Sequence, residues 1–135
     1  MSAASNYLEN KVLDHTLGGT AYSQPAALYL GLFKNVSTNA AANLEAGTLT
    51  DEVSGGSYAR KAITFNAASN GSADNDSTVT FDTATANWGT VTHIAVMDAA
   101  SAGNVVYWAA VSTSKLIESG DTFQLSTGNM TISLD

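Results

Sequence analysis

Cysteine is absent from the 135-residue chain. That excludes disulfides and thiolate metal sites, and leaves the redox compartment open. Charge is scarce as well. Asp, Glu, Lys and Arg make up 13% of residues, about half the usual share. The polar surface must then be built from Ser, Thr, Asn and Gly, which suits extended structure and protein–protein contact. Only 5 basic residues stand against 12 acidic ones, a net charge of −7. Such a chain repels phosphate backbones and anionic bilayers, so neither nucleic acid nor membrane is expected as a partner. The longest apolar stretch, near Ala26 to Phe33, is too short for a membrane span. The opening MSAASNYLENKVLDHTL lacks a cationic start followed by an apolar core, so no secretory signal is expected.

Reactive constellations are missing too. No G-x-S-x-G elbow, H-E-x-x-H pair or phosphate-loop spacing occurs. His15 follows Asp14 near a helix end, where the helix dipole alone accounts for it. His93 falls mid-strand, on the side of Val91, Ala95 and Met97 if strict alternation holds, and reads as a packing residue. Asp74-Asn75-Asp76 lacks the calcium-loop spacing and reads as a solvated turn. Asp51-Glu52 are neighbours in sequence, and neighbours rarely face one substrate. The expectation is no catalytic residue, no metal and no cofactor.

What is present is β-patterning. Hydrophobic residues reach 44%, enough for a core in one domain of this length. Asn6 to Leu17 is the one clear helix, with Asn6 as cap, Glu9 three residues on, and Gly18-Gly19 as terminator. Leu8, Val12, Leu13 and Leu17 give its apolar positions. Period-two patterning then takes over at Leu28–Phe33, Ala59–Phe65, Thr78–Phe81, Val91–Met97, Val105–Ser112, Thr122–Leu125 and Met130–Leu134. Asn70-Gly71 suits a tight hairpin. About seven short strands, with turns roughly every ten residues, predict a mainly β fold. An antiparallel β-sandwich or jelly-roll-like barrel is expected, with one short N-terminal helix. Residues 1–135 read as a single β-rich domain, with 1–19 a helix or arm and 35–54 a long loop or arm that contacts a partner.

The segments NYLENKVLDHTLGGTAYS, LYLGLF, EVSGGSYARKAITF, TATANWGTVTHIAVMDAASAGNVVYWAAV and SGDTF, in that order, resemble a family of small virion proteins of tailed bacteriophages, often labelled tail-fibre-like. The resemblance covers nearly the whole chain. It implies a virion structural protein without catalytic residues. Within that class, the amphipathic helix, the long loop and the sparse charge point first to capsid decoration, or cement, on major capsid protein. A homotrimer is expected by analogy with proteins at capsid threefold positions. A tail-fibre or baseplate component, with glycan binding by exposed aromatics, is the alternative. Candidate partner-binding residues are Leu8, Val12, Leu13, Leu17, Trp88, Trp108 and Arg60. Trp108 is included because Tyr107 and Trp108 must face opposite ways on a strand. Arg60 is included because it is one of few cations and is expected to pair with an acidic neighbour, internal or across an interface. Removing residues 1–17 is expected to weaken assembly more than the fold.

Overall fold

The computed structural model describes residues 2–134. Its largest sheet has the strand order β1-β7-β6-β2-β3, with every neighbouring pair antiparallel. The strands are β1 (Ser2–Ala4), β2 (Leu28–Lys34), β3 (Lys61–Ile63), β6 (Gly89–Met97) and β7 (Val105–Ile117). Two small ribbons accompany it. One pairs β4 (Ser72–Asp74) with β9 (Thr131–Ser133), the other β5 (Val79–Thr80) with β8 (Gln124–Leu125). Helices α1 (Asn6–Thr16) and α2 (Ala40–Ala46) complete the elements. The fold is mainly β and antiparallel, as the patterning predicts. Among the described residues the strands do not close a barrel, and the helices are two rather than one.

Alternation along the central strands divides the core. Leu30, Leu32, Ile94 and Val96 face one way, into the larger cluster with Phe81, Trp88 and Phe123. Phe33, Ala95 and Met97 face the other way and pack with Leu44 of α2 and with Trp108. Both helices touch β7, and α2 also touches β6. The ribbons cover the larger cluster, which takes in Val79 of β5, Leu125 of β8 and Ile132 of β9. Rings interlock at the centre of that cluster. Tyr58 stacks on Phe81 at 6.0 Å, and Trp88 meets Tyr58 edge-on at 5.5 Å.

Residues 35–54, which the composition predicts to be a long loop or arm, contain the short helix α2. Asn39 caps α2 by accepting from Ala42 N, and Gly47 ends it with a left-handed φ of 78°. Asp51 closes the excursion. Its carbonyl accepts from Lys34 N at 2.8 Å, and its carboxylate accepts from Ser37 N, Ser37 Oγ and Asn43 Nδ2 at 2.7–3.0 Å. Burial pushes the Asp51 carboxyl up, but the bonds from Asn43 and Ser37 outweigh it and hold the group below the usual carboxylate range.

Two other expectations change. The cap of α1 is Ser5, not Asn6. Its Oγ accepts from Leu8 N and donates to Val105 O, so the same hydroxyl caps the helix and pins it to β7. Glu9 is then one position too late for a capping box, and its N–H bonds the Ser5 carbonyl instead. Val91 parts company with His93, because a bulge at Thr92 shifts the register of β6 against both neighbours. Val91 joins the larger cluster, while His93 lies beside Trp108, ring centroids 6.1 Å apart.

Candidate docking surface

Seven side chains were singled out as partner-binding, and the fold sorts them into two groups. Leu8, Trp88 and Arg60 face inward. Leu8 is the one fully buried residue of α1. Trp88 sits in the larger cluster, its Nε1 donating to Gly56 O at 2.9 Å. Arg60 is a clamp inside the chain. Its Nε and Nη2 grip both carboxylate oxygens of Glu52 at 2.7 and 2.8 Å. Its Nη1 donates to Ala99 O and Ala102 O, tying the β6–β7 loop to the segment before β3. Tyr58 donates to the same carboxylate and accepts from Leu32 N. Burial and the neighbouring Glu52 charge push the Tyr58 hydroxyl well above its ordinary value. These groups satisfy one another, so the acidic mate expected for Arg60 is internal. Asp51 and Glu52 point into separate networks and do not form a pair.

Val12, Leu13, Leu17 and Trp108 form the second group. Trp108 is half-buried, because α2 covers it and Glu45 Oε2 accepts from its Nε1 at 2.8 Å. From Val12 onward α1 stands clear of the body. Val12 is 38% exposed, Leu13 54% and Leu17 79%. Burial of Leu8, with Tyr7 half-buried, fixes the helix rotation, and the 3.6-residue repeat then turns Leu13 and Leu17 outward. The tip is well terminated. Gly18 takes a φ of 90°, and Asp14 O accepts from Gly19 N at 2.8 Å. His15 Nδ1 accepts from Tyr22 N at 3.1 Å, pinning the returning chain.

A groove lies on another part of the molecule, where no candidate residue was placed. β1 covers the outer edge of β7 only from Tyr107 to Ala109. On the opposite edge, Ala110 pairs with His93 and Lys115 with Val91, so Val111 to Ser114 lie opposite Thr92 alone. Beside this bulged stretch opens a groove of about 650 Å³, bounded across from β7 by Phe123, Gln124 and Leu125. Ala109 and Leu125, at 9% exposure the least covered members of the core, line it. Lys115 is its sole charged lining residue. Among the described residues no cluster of His, Asp and Glu has the makings of a metal site.

A family model described as Podophage GP4 fiber I protein gp80 matches residues 3–133. The chain belongs to that family. Membership makes it a structural protein of the phage virion, in keeping with the resemblance in its sequence motifs. Comparison with curated proteins gives no match.

Proposed function

We propose that this member of the fiber I family is a non-enzymatic subunit of the phage tail or fibre apparatus, held in place by contacts with itself and with neighbouring virion proteins. The observation that carries the reading is the outward apolar face of α1, in a chain with few surface charges. Exposed leucines at helical spacing on a well-capped helix are a ready contact for another subunit. The buried reactive groups near the sheet are bonded to one another, as in the clamp of Arg60, Glu52 and Tyr58. We take residues 1–135 as a single domain, and the packing of the ribbons on the sheet as sandwich-like.

The fibre placement takes precedence over capsid decoration for two reasons. The family's own description is of a fibre protein. The segment 35–54, read as a gripping arm, is held to β2 by the bond from Lys34 N to Asp51 O and packs Leu44 of α2 against the sheet. Decoration of the major capsid protein is the second reading, favoured by the compact sheet and by the lack of any shaft-like element among the described residues. Gold-labelled antibody on purified virions separates the two. Label at the tail or fibres supports the first reading, label over the head supports the second, and unlabelled virions would overturn both.

Self-association is part of the reading, with a homotrimer as the expected state. Removing residues 1–17 is a poor test of it. Ser2–Ala4 pair with β7 and Ser5 is bonded to Val105 O, so the truncation would damage the sheet itself. Leu13→Asp with Leu17→Asp is cleaner, because both side chains are exposed. The double variant should keep its fold by circular dichroism and lose its incorporation into particles.

A further inference from the structure

Two features of the surface are complementary, and they lie apart on one molecule. The outer half of α1 presents Leu13 and Leu17, with Glu9 and Asp14 on the same helix. The groove beside β7 has an apolar floor at Phe123 and Leu125, hydroxyls at its rim, and Lys115 as its one charge. No residue of α1 lines that groove. We propose that the outer end of α1 from one copy docks into the β7–β8 groove of the next copy. The inference rests on the subunit-adhesion reading above and names the partner and the two surfaces.

Charge selects the occupant. The chain carries a net charge of −7, so two copies repel over most of their surface. The groove lining is free of acidic side chains and offers one ammonium, Lys115, to the two carboxylates of α1, Glu9 and Asp14, which outnumber its single lysine, Lys11. Packing points the same way. Leu17 is 79% exposed, and the core is least covered at Ala109 and Leu125, on the groove wall. Seating the leucines there would remove both exposures at once. The bulge opposite Thr92 also suits a helix better than a strand, since it breaks the regular edge ladder a strand would extend. A contact between two different surfaces of the same chain is head-to-tail, so it closes into a ring or grows as a filament.

The test uses two full-length variants, both altered only at exposed positions. Leu13→Asp with Leu17→Asp removes the knob. Thr113→Trp with Lys115→Glu blocks and recharges the groove. Wild-type protein at about 100 μM should be oligomeric by light scattering, and each variant alone monomeric. Association should weaken by about 100-fold or more when both leucines are lost. Mixing the two variants should restore one intact contact and stop at a one-to-one dimer. If the groove variant assembles like wild type while the helix variant does not, α1 has another partner and the inference is overturned. Wild-type protein that is monomeric yet present on virions would also overturn it, leaving the virion reading standing. Absence from virions would instead remove the reading on which it rests.

Discussion

Arg60 shows how one cation can organise several segments without being a binding residue. Its fork joins Glu52 to the carbonyls of Ala99 and Ala102 and is almost fully enclosed. Replacing it by Met would leave the largely enclosed Glu52 carboxylate without its cation and two carbonyls without their donor. The expected cost is about 3 kcal/mol, read from urea unfolding. A second prediction concerns acid. Burial holds the His93 imidazole below its ordinary value, with Asp51 opposing only in part. The unfolded chain therefore takes up that proton first. Stability should be full above pH 6.5 and fall as the pH drops below it. His93→Phe should flatten that slope in chemical denaturation between about pH 7 and 5. Asp51 acts lower down, because its folded carboxyl is held below 3.8. Its stabilisation is present above that value and lost as the pH falls through the folded pKa.

At the scale of elements, what the sequence reveals depends on length. Leu28–Phe33 and Val91–Met97 alternate over enough residues to show as strands, and they became the centre of the sheet. β1 and β4 are 3 residues each and have no alternation of their own, so their pairing with β7 and β9 creates them. α2 spans 7 residues, too few for a helical period to show, and side-chain bonds at Asn39 and Asp51 hold it. The Asn70-Gly71 turn was legible because its chemistry is local. Both residues take positive φ, and Ser69 and Ser72 exchange backbone bonds across them. Gly71→Ala would keep the positive φ and set a Cβ 2.8 Å from Leu134 O. The β4–β9 ribbon should open first in hydrogen exchange, at a cost of about 1 kcal/mol or more. Ser5→Ala removes the cap of α1 and the bond to Val105 O together. It should cost about 1–2 kcal/mol in thermal unfolding.

For the whole molecule, the candidate surface was only half legible. Helical spacing identified Leu8, Val12, Leu13 and Leu17 as one set, but only tertiary packing shows that Leu8 is inward and Leu13 and Leu17 outward. The groove left no trace in composition, because it arises from the register by which Val111 to Ser114 lie opposite Thr92. Since Leu13 and Leu17 contribute little to their own core, Leu13→Ser with Leu17→Ser should change unfolding stability by less than about 0.5 kcal/mol. The same pair should reduce concentration-dependent association in sedimentation, a separation of folding from assembly. Repulsion between copies of charge −7 should also make association stronger when salt rises from about 0.02 to 0.15 M, as screening shortens to about 8 Å.

The pairing of Ser2 with Ala109 has a practical consequence. Ser2 itself lines the groove, beside Ala109, so a group attached ahead of it starts at the groove wall. A purification tag or fluorescent protein fused ahead of Ser2 would obstruct the groove and make a self-associating subunit look inert. A reporter inserted at Asn70-Gly71, in the exposed turn that leads into β4, would start away from the residues that line the groove.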